Sequence, residues 1–211
     1  MKLITKSTGG PAWFASYAKI RVDSYVMLAS LLEHPPSENL LEVLQNLEWE
    51  KPIPERVDRA LKALCEASHD HRLSALKNEY DKLFVGLGCG ELVPYASWYR
   101  EKKIQSSPLA SLRSDLVLLG IVRQGDSYES EDHAGALCEC MVLISRQPNE
   151  IPQATQARFF QQHIAPWMTA FFEDLESAKS ARFYRTVGTF GRRFLESEIE
   201  YFNQDGGARE N

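Results

Sequence analysis

The fold class is decided at residues 12–33, AWFASYAKIRVDSYVMLASLLE, where apolar side chains recur every three or four positions. This spacing matches the 3.6 residues per turn of an α-helix and places the apolar side chains on one face. That face consists of Tyr17, Ile20, Ser24, Met27, Leu28 and Leu31. His34-Pro35-Pro36 is predicted to end the helix, because a residue that precedes proline avoids the helical conformation.

The same spacing continues through most of the chain, whereas the alternation of period two that is typical of strands is sustained nowhere. Further helices are predicted over residues 37–47, from Pro54 to His69-Asp70-His71, over 73–84, from Ser107-Pro108 to Gly125, from Ser130 onward, over 153–178 with a kink or break at Pro166, and over 181–203. The sequence therefore predicts an all-α, single-domain multi-helix bundle spanning residues 1–211, with a seam near 105–108 and a loose tail at 204–211.

One long glycine- and proline-bearing loop is predicted to interrupt the bundle between Gly86 and Ser106. It is unusually apolar for a loop and contains Leu87, Leu92, Tyr95, Trp98 and Tyr99. Loops longer than about 12–15 residues without secondary structure are uncommon in compact domains, and those that occur are often functional. We therefore expect this loop to take part in binding.

Charge and composition argue against several classes of partner. The formal net charge is −5 and no Lys/Arg-rich stripe with interleaved aromatic residues is present, so we expect no nucleic-acid binding. No apolar run approaches the roughly 20 residues that cross a bilayer, so we expect no stable membrane insertion. Gly9-Gly10-Pro11 interrupts the N-terminal segment, and the four cysteines occur without an export signal, which predicts a reducing, cytoplasmic location.

The residue types that perform metal or covalent chemistry are not spaced for it. Cys138 and Cys140, two positions apart on a predicted helix, point about 200° away from each other, and His69 and His71 have the same spacing. Gly86-Leu87-Gly88-Cys89-Gly90 lacks the following Gly-Lys-Ser/Thr of a phosphate-binding loop. No nucleophile motif is present either. We therefore expect no cofactor, no metal ion and no enzymatic activity.

A first constellation runs from Tyr80-x-x-Leu83-Phe84 into Pro94-Tyr95. The helical spacing of Leu83 and Phe84 is typical of plain core packing. However, aromatic residues and a proline on a long loop beside a helix end are what a groove for an apolar peptide requires. Both interpretations remain open from the residues alone.

A second constellation is Glu129-x-x-Asp132-His133, at the predicted start of a helix. Acidic residues there are stabilised by the helix dipole, which favours a simple cap. Together with Glu131 they would also form an acidic spot able to pair with guanidinium groups. A third constellation, Phe160-x-x-His163-Ile164-x-Pro166-Trp167, is interpreted as core.

In this order, the three constellations resemble the TorD/DmsD family of redox-enzyme maturation chaperones. The similarity covers roughly residues 18–202. The segments that carry it are Arg21-x-x-x-Tyr25-x-x-Leu28-Ala29-x-Leu31 with Pro35 after it, Glu79-Tyr80-x-x-Leu83-Phe84, Pro94-Tyr95, Glu129-x-x-Asp132-His133, and His163-x-x-Pro166-Trp167. The family often has tryptophan where this chain has Tyr80 or Tyr95.

The resemblance implies a cytoplasmic chaperone that binds the twin-arginine signal peptide of a molybdenum-containing oxidoreductase, and its folding intermediate, before export. The implied peptide-binding residues are Tyr80, Leu83, Phe84, Pro94, Tyr95, Asp132 and His133. The protein would be a monomer or a domain-swapped dimer. Two other functions fit the same residues: a helical small-molecule binding protein, and a helical hydrolase with an unrecognised site.

Overall fold

Helices account for nearly all the secondary structure in the computed structural model, which describes residues 14–86, 90–100, 108–122 and 130–206. The elements are α1 (Phe14–Glu33), α2 (Glu38–Gln45), α3 (Glu55–Asp70), α4 (Leu73–Tyr80), a π-helix (Asp81–Val85), α5 (Ala96–Arg100), α6 (Pro108–Leu118), α7 (Ala134–Ser145), α8 (Gln153–His163), α9 (Met168–Ser177) and α10 (Phe183–Gly206). These residues contain no β-strand, so the predicted all-α class is confirmed.

The centre of the bundle forms where α1 packs against α7, and where α10 packs against α3 and α9. The predicted face of α1 is buried at all six positions. The predicted face of α7 is also fully buried, and comprises Ala134, Leu137, Cys138, Met141 and Ile144. Each large aliphatic side chain buried in this way contributes about 1.5–3 kcal/mol to the free energy of folding.

An ion pair inside the bundle connects α1 to α10. The Arg21 guanidinium donates from Nε and Nη2 to the two carboxylate oxygens of Glu198, at 2.6 and 2.9 Å. The hydroxyl of Tyr25 donates to the same carboxylate at 2.7 Å, and the guanidinium lies 4.3 Å from the centre of the Tyr201 ring. The two charged side chains are only 4% and 0% exposed. Each charge depends on the other, because an unpaired charge in this environment is strongly unfavourable.

Several helix boundaries agree with the stop and cap signals predicted from the sequence. α1 ends at Glu33, directly before His34-Pro35-Pro36, and Ser37 caps α2 by accepting the N–H of Leu40. The predicted break at Pro166 is confirmed, since α8 ends at His163 and α9 begins at Met168.

Other boundaries differ from the prediction. α6 ends at Leu118 and not near Gly125, because Gly120 has a left-handed φ of 67° and lets the N–H of Ile121 reach the Leu116 carbonyl. Gly125 itself lies outside the described residues. At the C-terminus, α10 continues to Gly206, past the predicted boundary near 203.

The predicted core of α10 is wrong at one position. Ile199 is only partly buried, whereas the neighbouring Glu198 is fully buried. The ion pair with Arg21 accounts for the buried Glu198, because it offsets part of the cost of placing a carboxylate inside the bundle. Among the described residues, no helix is both long and apolar enough to cross a membrane. The predicted single domain with a seam near 105–108 stays a prediction, since residues 101–107 lie outside the described part of the chain.

Candidate functional site

A π-helix lies at the centre of the first predicted constellation. The helix that begins as α4 widens at Asp81–Val85 and closes with a hydrogen bond of 2.7 Å from the Gly86 N–H to the Asp81 carbonyl. Gly86 adopts a φ of 56°, which glycine accepts without strain. Short π-helices occur frequently at functional sites. The widened turn buries Leu83 completely, while Phe84 is half-buried.

Two carboxylates hold this region against the turn between α9 and α10. Glu79 is buried, and its carboxylate accepts the N–H groups of Arg182, which precedes α10, at 2.7 Å and of the first two residues of α10, Phe183 at 3.3 Å and Tyr184 at 2.8 Å. Glu91, on the other side of the π-helix, is exposed and accepts the N–H groups of Lys179 and Ser180. The carboxylate of Glu79 therefore caps α10 from a different helix.

Aromatic rings form a continuous layer beneath the π-helix. Tyr80 and Phe84 lie 5.0 Å apart between ring centres, and Phe84 lies 5.4 Å from Tyr184. Tyr80 also donates from its hydroxyl to the Leu32 carbonyl, at 3.1 Å. Phe84 continues the layer to Phe171 at 6.5 Å. These contacts fix the position of the π-helix relative to α1, α9 and α10.

The predicted long loop is not free of helix. Its residues Gly90 to Leu92 return along the π-helix, where the Leu92 N–H donates to the Leu83 carbonyl at 2.8 Å. A Cβ atom added at Gly90 would lie 2.6 Å from Phe84 Cα, so this close backbone approach requires glycine. Ala96–Arg100 then forms α5, which the sequence had assigned to the loop.

Asp132 explains why α5 forms. Its Oδ2 atom accepts the Ser97 N–H at 2.8 Å, and its carbonyl accepts the Ala96 N–H at 3.0 Å. Asp132 is 1% exposed, so it caps the start of α5 from a remote part of the chain. The sequence had placed Asp132 in the first turn of a helix capped by Ser130, and the structure corrects this, because α7 begins only at Ala134.

His133 is the residue that caps α7. Its Nδ1 atom accepts the Gly135 N–H at 3.2 Å, so this nitrogen carries a lone pair and not a proton. Its backbone pairs with that of Tyr95 in an isolated antiparallel bridge, and the two rings meet edge to face at 5.1 Å. A further hydrogen bond of 2.8 Å joins the Ala134 N–H to the Pro94 carbonyl. The bridge thus brings two predicted constellations into contact.

The seven predicted site residues therefore form two adjoining groups. Pro94, Tyr95, Asp132 and His133 meet at the bridge, and Tyr80, Leu83 and Phe84 lie on and before the π-helix. Residues 90–93, which are hydrogen-bonded to the π-helix, lead from it to the bridge. Of the seven, only Phe84 and Tyr95 are half-buried, and the others are buried. The buried members shape the surface, and a ligand would reach Phe84 and Tyr95 directly.

Trp98, which was not among the predicted site residues, lies beside the candidate site. This side chain on α5 is 63% exposed, although tryptophan is normally well buried. Its place in the apolar segment after Pro94-Tyr95 was the available signal. Near the π-helix, an open depression of about 640 Å³ is lined by Asp81, Lys82, Val85, Gly86, Glu91 and Ser180. Val85 is 57% exposed at this depression, so apolar surface faces solvent there as well as at Trp98.

The acidic spot predicted beside His133 contains an internal cation. The Arg113 guanidinium on α6 donates from Nη2 and Nε to Glu131 Oε2, at 2.9 and 3.2 Å. Hydrogen bonding and the negative charge of Glu131, with a smaller contribution from Asp132, raise the pKa of Arg113 above its ordinary value. Glu129, the first residue of the constellation, lies outside the described residues.

The third constellation is core, as expected, except at Pro166, which is exposed. Phe160, Ile164 and Trp167 are buried, and His163 is 2% exposed with its Nε2 atom 2.7 Å from Asp115 Oδ2. Burial lowers the pKa of His163, although the hydrogen bond and charge of Asp115 act in the opposite direction.

The described residues contain no group of three or more His, Cys, Asp or Glu side chains that could hold a metal ion. Burial raises the pKa of the Cys140 thiol to about 12, and that of Cys138 further still. Burial therefore favours the protonated form of both thiols, which is the weaker nucleophile.

Comparison with known proteins shows the family to which this chain is related. Residues 50–173 match the family model described as "Nitrate reductase delta subunit". The chain is 25% identical over 142 residues to a Haemophilus influenzae protein assigned as the Tat proofreading chaperone DmsD. This match covers 66% of each protein, which is just under two thirds. It is 23% identical over 161 residues to the chaperone protein TorD of Vibrio cholerae, covering 67% of this chain and 71% of that protein.

A solved structure has the same fold. It is a protein from Archaeoglobus fulgidus assigned to redox enzyme maturation, with a TM-score of 0.54 and 17% sequence identity. The superposition covers 91% of this chain and 98% of that one. At this identity the likeness concerns the arrangement of helices.

Proposed function

This chain belongs to the nitrate reductase delta subunit family, together with the TorD and DmsD chaperones, and we propose on that premise that it is a cytoplasmic chaperone for the twin-arginine signal peptide of an exported redox enzyme. The observation that carries the proposal is the bridge between Tyr95 and His133. It joins the two constellations that a receptor for a basic and apolar peptide needs, one aromatic and one acidic.

The apolar part of the site would come from α5 and the π-helix. Phe84 and Tyr95 are half-buried, and Trp98 is mostly exposed, so their rings remain available to a partner while the backbone beneath them is fixed. Aromatic side chains held in this way supply large contact area at a small cost in conformational entropy. The apolar middle of a signal peptide is a suitable partner for this surface.

The remaining site residues would position this surface. Tyr80 and Leu83 hold the π-helix, and Pro94 holds the bridge through its carbonyl. Asp132 holds α5 by capping it, and His133 starts α7 and packs its ring on Tyr95. Asp132 accepts the Ser97 N–H, so in this proposal its charge acts on a peptide from beneath the surface and does not bind a guanidinium directly.

The client in this proposal is a molybdenum-containing oxidoreductase, held before export until its cofactor is inserted. The role needs no catalytic group, and the names of the curated relatives describe chaperones. A small-molecule binding protein is less well supported, because the depression beside the π-helix is open and is lined by three charged side chains, those of Asp81, Lys82 and Glu91.

Calorimetric titration with a twin-arginine signal peptide tests the proposal. We expect saturable binding, and weaker binding when both arginines are replaced by lysine, because a planar guanidinium stacks on an exposed aromatic ring such as that of Trp98 in a way that an ammonium group does not reproduce. The Trp98→Ala variant is expected to weaken binding of both peptides. Equal affinity for the two peptides and for a scrambled control would refute the proposal.

A further inference from the structure

The outer side of α6 combines a charged end and an apolar end. Arg113 is 58% exposed and lies against Glu131, which is 22% exposed and directly precedes Asp132-His133. One helical turn further on the same side, Val117 is 78% exposed. Leu118, at 76%, follows it at the end of the helix. Val117 and Leu118 together place adjoining apolar surface in solvent, and contiguous exposed apolar surface is typical of interaction sites.

This side of α6 is fixed to the bundle by the opposite side. Leu112 and Leu116 are buried, and Asp115 binds His163 of α8. α6 also packs against α5, the helix that carries Trp98. The exposed side of α6 therefore has a defined orientation next to the candidate site, and its apolar residues are not required for the core.

We propose that the side of α6 formed by Arg113, Val117 and Leu118, together with Glu131, binds a peptide segment in which arginine is followed by apolar residues. The client's guanidinium takes the place of Arg113 on the Glu131 carboxylate, and the apolar residues that follow it cover Val117 and Leu118. This inference rests on the proposed function and adds to it the residue that recognises arginine. Arg113 then acts as an internal competitor that occupies the acidic position until a client arrives.

Geometry and charge favour such an exchange. Arg113 directs two of its N–H donors to one Glu131 oxygen, Oε2, and so does not form the two parallel hydrogen bonds of a bidentate arginine–carboxylate pair. Arg113 is itself mostly exposed, so water can solvate its guanidinium when another cation takes its place on the partly buried Glu131. A peptide arginine whose neighbouring residues bury apolar surface on α6 gains an additional attraction that Arg113 lacks.

The variant Arg113→Gln tests the exchange, because it removes the competing charge at an exposed position. We expect it to tighten binding of a twin-arginine signal peptide by about two- to fivefold, the range for an exposed ion pair. Binding of the same peptide with both arginines replaced by glutamine should not change. Glu131→Gln is expected to weaken twin-arginine binding about fivefold and to remove the effect of Arg113→Gln in the double variant.

The apolar part is tested with Val117→Ser and Leu118→Ser, and Val43→Ser on α2 serves as control, since Val43 is also exposed, at 51%. The first two should weaken both peptides several-fold, with unchanged circular dichroism, and the control should weaken neither. Unchanged or weaker twin-arginine binding by Arg113→Gln, or equal effects of the α6 and α2 variants, would overturn the assignment while leaving the proposed function intact. A wild-type protein that binds no signal peptide would overturn both.

Discussion

Glu79→Gln tests whether one buried carboxylate holds the π-helix region against α10. The side chain keeps its size but loses its charge. One oxygen remains for the N–H groups of Arg182 and Tyr184, whereas the other is replaced by an NH₂ group that faces the Phe183 N–H. Two donors then face each other inside the protein.

The magnitude follows from these three contacts. A hydrogen bond to a charged group contributes about 1.5–3 kcal/mol, a buried donor without a partner costs about 1–3 kcal/mol, and the effects are not additive. The charge also interacts favourably with the N-terminus of α10, by about 0.3–1 kcal/mol. We expect a loss of about 2–4 kcal/mol in the free energy of unfolding, or roughly 5–15 °C in melting temperature for a chain of this size.

Urea unfolding monitored by circular dichroism measures this loss, and Glu91→Gln is the matched control. Glu91 accepts two backbone N–H groups of the same turn but is exposed, so water can replace the lost contacts. Its substitution is expected to cost about 1 kcal/mol or less. If the two variants lost equal stability, burial would not be the cause, and the reasoning would be refuted.

Three further predictions concern other parts of the bundle. Glu198→Gln leaves the Arg21 charge unpaired and should lower the free energy of unfolding in urea by about 3–5 kcal/mol. The double variant with Arg21→Met should recover much of this loss. A double variant less stable than the single one would contradict the account. Because burial lowers the pKa of His163, the unfolded chain binds a proton at this residue more readily than the folded chain, so the free energy of unfolding should fall as the pH drops below 6.5 towards the lowered pKa. In His163→Gln the free energy of unfolding should depend less on pH over that interval. An identical dependence on pH in the variant and the wild type would refute the assignment. Trp98→Phe should leave the melting temperature within about 1 °C, because the side chain is exposed, and a larger decrease would show that it is structural.

Those parts of the fold that depend on neighbouring residues could be predicted from the sequence. The buried face of α1 follows from helical spacing, and its end follows from Pro35-Pro36, so both agree with the structure. α5 could not be found in this way. Its first N–H groups are capped by Asp132, which lies far along the chain, and five residues are too short to show a period of 3.6.

The burial of particular charged residues could not be predicted from the sequence either. The sequence pattern treats Glu198 as a surface residue, and only its pairing with Arg21 on another helix makes a buried position favourable. The same applies to Glu79, whose three partners are backbone N–H groups at and just before the start of α10. For the candidate site, the pattern identified the two constellations, but it could not indicate that the bridge at Tyr95 joins them.

Hydrogen–deuterium exchange with and without a twin-arginine signal peptide tests the central claim most directly. Peptide binding at the bridge should slow amide exchange in residues 92–100 and 130–135, because these backbone groups lie beneath the proposed contact surface. Exchange in α2 and α3, which lie outside that surface, should stay unchanged, and the twin-lysine peptide should give weaker protection. Protection confined to α2 or α3, or no protection at saturating peptide, would contradict the account.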